Sequence, residues 1–193
     1  PEGNLYCSLL LRPPCPAAQA AQLTFVAALA LGGTLDDVLP DSVEMRYKWP
    51  NDVLLDGRKV AGILLESAGA GRGAVDWLVV GIGVNVAHHP EVTDGYPATS
   101  LHAAGASREE PEALLRRLVA QFARWYERWL RDGIAPVRAA WLARAARIGE
   151  TVEVRLPDRS LTGRFVGLDE GGALLLGLPD GTRTAVPAGD VFF

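Results

Sequence analysis

The dipeptide Asp56-Gly57 constrains the fold of this chain more than any other feature. It separates two apolar runs, "VLL" and "RKVAGILLE", and a pair of this type closes a two-residue hairpin whose twist suits the flanking strands. Such a loop sets the register. Leu55 faces Arg58, Leu54 faces Lys59 and Asp52 faces Ala61. Alternation then puts Asp52, Leu54, Lys59 and Ala61 on one side of the ribbon. Asp52 and Lys59 become diagonal neighbours, roughly 7–8 Å apart by backbone position, with a gap between them. A bulge would change this register.

The rest of the chain organises around that hairpin. A second turn, "GAGRG" (69–73), leads into "VDWLVVGIGVNVA", so 43–87 reads as one antiparallel sheet. Upstream, "NLYCSLLLR" (4–12) reads as a buried strand broken by "PPCP". An Ala-rich helix follows from Pro16 to about Leu31, ended by Gly32-Gly33, and Val43 to Tyr47 is a strand. Residues 88–107 are loop-like. A long amphipathic helix covers 108–132, with Leu114, Leu115, Leu118, Phe122, Trp125, Tyr126 and Trp129 recurring at helical spacing as core positions. Gly133 stops it, and a shorter helix covers about 136–146. From 147 the composition shifts to short strands separated by Pro, Asp and Gly turns, the pattern of a small SH3-like barrel. The expected division is 1–146 and 147–193.

A chain of 193 residues, 49% hydrophobic and 22% charged, buries a real core. Its net charge of -4 and pI near 5.4 argue against a nucleic-acid-binding surface in this segment. Cys7 and Cys15 read as two reduced thiols of a cytosolic protein rather than a disulfide framework. The apolar run "AAQLTFVAALALGG" reads as too short and too interrupted to span a membrane, and no stretch has the form of a signal peptide.

Lys48 and Lys59 are the only lysines; every other basic residue among the 19 Lys and Arg is arginine. Both fall in "KWPNDVLLDGRKVAGILLES". An ammonium and a carboxylate on one hairpin face suit a polyanionic substrate: lysine is a compact charge for a phosphate or developing oxyanion, and a carboxylate can hold Mg²⁺. The bland alternative is a surface salt bridge, but arginine would serve that equally well. Trp49-Pro50 is also a rigid, bulky lead into the strand, unusual for an exposed loop. In "GIGVNV" (81–86), Gly81 and Gly83 share a strand face with Asn85; glycines there mark a bulge or the close approach of a ligand or backbone. Asn85 offers the donor and acceptor that a purine edge requires.

Other candidates read as structural. His88 and His89 point to opposite sides and do not chelate one metal, and His102 is far off in sequence. Cys7 is a buried thiol, Glu66 a solvated strand-end carboxylate, and Arg116, Arg117 and Arg128 a charged helix stripe.

The combination "KWPNDV…GRKVAGIL", "VVGIGVNV" and "ATSL", in this order and spacing, closely resembles the catalytic domain of biotin protein ligases. "GGALLL…AGDV" resembles their small C-terminal domain, and "NLYCS" their strand just after the biotin loop. The resemblance implies an α+β fold of class II synthetase/biotin-ligase type, a mixed, largely antiparallel sheet with packed helices followed by a small SH3-like β-barrel. It implies activation of biotin by ATP to biotinyl-5′-AMP and transfer to a lysine of a biotin carboxyl carrier domain. It also implies that Lys59 is the essential lysine, in contact with the biotin carboxyl oxygen and the α-phosphate. Asn51 and Asp52 would lie by the ATP phosphates and Mg²⁺, Asn85 by the adenine, and Lys48 would be a supporting charge. Gly62, Ile63 and Leu64, with Gly81 and Gly83, would line the biotin pocket. Homodimerisation by sheet pairing and a cytoplasmic location, with no membrane partner, are further expectations.

The family carries an Arg/Gly-rich loop before the strand that opens this chain, and an upstream strand that reads the ureido ring. The sequence begins after both, at Pro1. "GAGRG" does not replace that loop, so the segment alone is expected to bind biotin poorly and release adenylate. Two other functions stand beside the ligase: a lipoate ligase-like enzyme of similar fold, and a non-catalytic remnant or binding module.

Overall fold

The computed structural model describes residues 2–69, 73–91, 97–106 and 108–192. Two five-stranded antiparallel sheets carry the fold. The first contains β1 (Leu5–Leu11), β2 (Met45–Lys48), β3 (Asp52–Leu55), β4 (Arg58–Ala68) and β5 (Trp77–Val84), in the order β1-β5-β4-β3-β2. A short α1 (Ala17–Ala20) leads into α2 (Leu23–Asp36). Helices α2, α3 (Pro111–Asp132) and α4 (Ile134–Leu142) pack together, and α2 lies against β3, β4 and β5. The second sheet holds β6 (Thr151–Arg155), β7 (Ser160–Leu168), β8 (Leu174–Gly177), β9 (Arg183–Val186) and β10 (Asp190–Phe192), ordered β10-β6-β7-β8-β9. This is the expected α+β architecture.

The helical layer covers one face of the first sheet. Its core holds Leu23, Val26, Leu31, Leu114, Leu118 and Trp141 against Val53, Ile63, Val80 and Val84. On α3, Leu114, Leu118, Phe122 and Trp129 are buried, and Leu115, Trp125 and Tyr126 flank them, as the helical spacing predicts. The opposite face of the sheet is left open, with Tyr6, Leu10 and Leu64 each more than 60% exposed.

Three expectations need correction. The first strand is not fully buried. β1 is an edge strand that alternates, with Leu5 buried and Tyr6, Ser8 and Leu10 outward, because only one of its faces meets helices. The Ala-rich helix does not end at Gly32-Gly33; α2 runs on to Asp36. Gly32 is there for close approach, since a Cβ at this position would overlap the Tyr47 hydroxyl. That longer helical segment, Ala17–Asp36, passes for a membrane span by length and composition, but it is largely buried as a core helix.

The third correction is the hairpin register. Leu55 pairs with Arg58 and Leu54 with Lys59, as expected, but a bulge follows between Val53 and Leu54. Val53 then meets Ala61, and Asp52 meets Gly62 rather than Ala61. One residue of β4 is left over, and Ala61 turns into the core at 2% exposure. Where the pairing with β5 ends, before Ala61, β4 takes another neighbour. Lys59 N–H donates to Pro97 O (2.8 Å), and Thr99 N–H donates to Lys59 O (2.9 Å). The turn "GAGRG" lies partly outside the described residues, as do parts of 88–107.

Candidate active site

Three adjacent strands build a cleft of about 510 Å³ on the open face. Tyr6, Gly83 and Gly62 stand in one cross-strand row, and Ser8, Gly81 and Leu64 in the next. In the first row two of the three residues have no side chain, so the floor sinks between Tyr6 and Lys59. A Cβ at Gly83 would touch the Tyr6 ring at 3.5 Å, and one at Gly62 would touch Lys59 Nζ at 3.4 Å. Cys7, Ile63, Ile82, Asn51 and Lys59 complete the lining. Gly81 runs close to the neighbouring backbone, where a Cβ would stand 3.5 Å from Leu64 O.

Lys59 projects into this cleft from the bulge, with its side chain 41% exposed. Its Nζ lies 2.6 Å from Oδ1 of Asp52, whose side chain is only 10% exposed. Lys48, buried below, holds the other oxygen, with Nζ 3.5 Å from Asp52 Oδ2. The expected gap between Asp52 and Lys59 is therefore closed by a direct ion pair, because the bulge brings Lys59 over Gly62 toward Asp52. One carboxylate thus sits between the chain's only two lysines, one sealed in the fold and one facing the cleft. A half-exposed ammonium with a fixed carboxylate on one side can meet an anion on the other.

The neighbouring amides have structural duties. Asn51 Nδ2 donates to Ile63 O (2.7 Å) while Ile63 N–H donates to Asn51 O (2.9 Å), which clips the start of β3 to β4. Asn85 Nδ2 donates to Thr99 O (3.0 Å), and Asn85 O accepts from Leu101 N–H (2.9 Å). Asn85 thereby fixes the 97–101 segment beside Lys59, and it does not line the cleft. Cys7 alternates with Tyr6 and Ser8, so its side chain turns toward the core under the sheet, where burial pushes the thiol up from its ordinary range. Asn4 accepts from the backbone N–H groups of Val86, Ala87 and His88, which holds the chain after β5.

Of the residues singled out in the sequence, Lys59, Asn51, Gly62, Ile63, Leu64, Gly81 and Gly83 meet in one cleft, with Asp52 and Lys48 directly behind Lys59. Sequence reasoning missed Tyr6, Ser8 and Ile82. The run "LYCSLLL" carries no polar–apolar alternation that would have marked Tyr6 and Ser8 as the open face. A larger groove of about 810 Å³ lies between the two sheets. Its arginines pair with acidic side chains, Arg46 with Glu44, Arg147 with Glu150 and Arg155 with Glu153, so the smaller cleft is the better chemical site. No group of three His, Cys, Asp or Glu side chains able to hold a metal ion occurs among the described residues.

A glycine-floored cleft with one lysine at its rim lies on an antiparallel sheet backed by helices, and an ammonium so placed can stabilise charge on an acyl or phosphate oxygen. The profile of the biotin/lipoate A/B protein ligase family matches residues 2–143, and that of the biotin protein ligase C-terminal domain matches 148–193. The chain belongs to the biotin/lipoate A/B protein ligase family. It is 46% identical to a biotin–[acetyl-CoA-carboxylase] ligase of Paracoccus denitrificans, over 100% of this chain and 81% of the relative. It is 31% identical to the bifunctional ligase/repressor BirA of Bacillus subtilis, over 94% of this chain but only 56% of that protein. The biotin protein ligase of Aquifex aeolicus in complex with biotin and ATP superposes with a TM-score of 0.80 at 26% identity, covering 99% of this chain and 78% of that one.

Proposed function

We propose that the chain is the catalytic part of a biotin–protein ligase. Biotin and ATP give biotinyl-5′-AMP and pyrophosphate, and a lysine of a carboxylase's biotin carboxyl carrier domain then takes the biotinyl group. In the first step a biotin carboxylate oxygen attacks the α-phosphorus and the bond to pyrophosphate breaks. In the second the carrier amine attacks the acyl carbon, AMP leaves and a proton is released. The observation that carries this reading is Lys59, the ammonium at the rim of a glycine-floored cleft, braced by a buried carboxylate. Charge builds on the carboxyl and phosphate oxygens in both steps, where a fixed ammonium is most effective.

Gly62, Ile63, Leu64, Gly81 and Gly83 would receive the apolar body of biotin, with Tyr6 as a wall. Asn51 and Asp52 would lie on the ATP side of Lys59, Lys48 would act from behind Asp52, and Asn85, outside the cleft, would bear on the adenine only through the 97–101 segment it holds. Magnesium, entering with ATP, would screen the phosphates. The ion would be held by the phosphate oxygens; the expectation that Asp52 ligates it does not fit a buried carboxylate whose two oxygens are engaged by Lys59 and Lys48. A division at 146/147 would separate a catalytic domain from a small C-terminal one. A cytoplasmic location follows from the need for ATP and carrier, and homodimerisation by sheet pairing is part of the proposal.

The test is biotin-dependent ATP–pyrophosphate exchange by the full-length protein, followed by an avidin blot of a carrier domain. Exchange with biotin and a labelled carrier are expected. The matched family also includes lipoate ligases; exchange driven by lipoate and not by biotin would overturn the assignment in favour of that reading. Exchange with neither would leave a binding module.

A further inference from the structure

Trp49 is a bulky residue beside the site segment, and the structure buries it at 3% exposure. Its indole Nε1 donates to the carbonyl of Gly172, 3.1 Å away, in the second sheet's β7–β8 turn. That turn is built to hold its shape. Asp169 Oδ1 accepts from the N–H groups of Gly171 and Ala173, both at 2.8 Å, and Asp169 N–H donates to Ala173 O at 3.0 Å. Gly172 has φ +92, and a Cβ there would overlap the Phe25 ring of α2. Gln22 Nε2 donates to Glu170 O (3.2 Å), while Gln22 Oε1 accepts from Trp129 Nε1 (2.9 Å). A turn of the C-terminal sheet is thus seated on α2 and hydrogen-bonded to a residue between Lys48 and Asn51.

We propose that the Asp169–Ala173 turn is a positioning element for the ligase site, acting through the Gly172–Trp49 hydrogen bond on the Lys48–Asp52 segment. The claim that this affects catalysis rests on the ligase reading above. Lys48 and Asp52 brace Lys59, and Asn51 clips β3 to β4, so a tilt of this short segment moves the ammonium at the cleft rim. Small misplacement of a catalytic group costs rate more than ground-state binding. The far wall of the cleft, Tyr6 and Gly83, is on β1 and β5, and none of these hydrogen bonds of the turn goes to those strands. The C-terminal sheet therefore governs turnover rather than the hold on biotin.

The test compares Trp49→Phe, which keeps an aromatic ring but removes the donor, with Asp169→Ala, which loosens the turn and leaves Trp49 intact. Val154→Ala, in the core of the second sheet and away from the turn, is a control for general destabilisation. Two readouts are taken on the full-length protein. Hydrogen–deuterium exchange of residues 46–55 without ligand is expected to rise in Trp49→Phe and Asp169→Ala and not in Val154→Ala. In biotin-dependent pyrophosphate exchange, kcat is expected to fall about tenfold in the first two, with KM for biotin within about twofold. Unchanged hydrogen exchange at 46–55 in both variants overturns the proposal whatever the enzyme's activity. So does a kcat loss in Val154→Ala equal to that in Trp49→Phe. Absence of biotin-dependent turnover in the wild type would instead overturn the ligase reading, and hydrogen exchange would still decide whether the turn positions the segment.

Discussion

Lys59 Nζ stands 2.6 Å from Asp52 Oδ1, and the contact exists because a bulge slips the β3–β4 ladder by one residue. In an unbroken hairpin Ala61 would lie opposite Asp52. In the bulged one Gly62 does, and the lysine chain reaches the carboxylate across a position with no side chain. On its side away from β3, the backbone of Lys59 pairs with Pro97 and Thr99. The lysine is thus held at its backbone by one segment and at its tip by another, while about two fifths of its side chain is exposed.

Lys59→Ala should abolish carrier biotinylation, by roughly 10²–10³-fold or more, the usual cost of removing a preorganised oxyanion partner. The fold should survive, because the side chain is partly exposed on the open face of the sheet. Lys59→Arg should also be poor, since a planar fork cannot take the place of a point charge wedged beside Gly62 and Asp52. An avidin blot with circular dichroism on the same samples checks both; near-normal labelling by Lys59→Ala would remove Lys59 from the chemistry.

Asp52 should matter for stability as well as activity. Lys48 is buried at 6% exposure, and Asp52→Ala takes away the carboxylate 3.5 Å from its ammonium. Breaking a buried pair on one side is expensive, so a loss of roughly 3 kcal/mol is expected in urea unfolding. Lys48→Met combined with Asp52→Leu should recover part of it, which a double-mutant cycle measures as a coupling energy. Equal and additive losses from the two single changes would contradict the pairing.

Periodicity and turn chemistry made much of this legible beforehand. Asp56-Gly57 marked the hairpin and its first two residue pairs correctly, and the apolar spacing of 108–132 identified the buried stripe of α3. What failed were features set by contacts distant in sequence. Neither the bulge at Val53/Leu54 nor the 97–99 segment beside Lys59 is marked in the hairpin's own residues. Gly32 reads as a helix stop until Tyr47 is known to press against it. Lys59, Asp52 and the glycines could be picked out because each is an unusual choice for its position. Tyr6 and Ser8 could not, because a strand with one covered and one open face looks from composition like a buried one.

The cleft floor predicts a graded response at Gly83. Gly83→Ala adds a Cβ 3.5 Å from the Tyr6 ring, an ordinary contact, and should leave biotin affinity within a few fold. Gly83→Val adds two further methyl groups to the same hollow and should weaken biotin more than about tenfold, since the space can hold either the ligand or the side chain. Titration calorimetry with biotin on the full-length protein reads the difference. Thermal unfolding should change little, because position 83 faces the open side of the sheet. Wild-type affinity in Gly83→Val would mean that biotin is bound elsewhere.

Cys7 gives the fold a pH signature. Burial raises its thiol above the ordinary value of 9.0, and Cys15 shifts the same way. Below pH 9 the folded chain therefore carries less thiolate than a free cysteine, and iodoacetamide should label Cys7 more slowly than free cysteine at about pH 8. The linkage to stability has a fixed sign. An unfolded thiol ionises near its ordinary value while the folded one stays protonated, so the unfolded state holds fewer protons and is favoured as pH rises. Tyr47, pushed up chiefly by burial, adds to the same trend. The stabilisation is complete below about pH 9 and is lost progressively above it, as pH rises toward the folded-state values. The urea midpoint should therefore fall above about pH 9, less steeply in Cys7→Ser. A midpoint that is flat or rising from about pH 8 to 10 would contradict the burial of this thiol against the core.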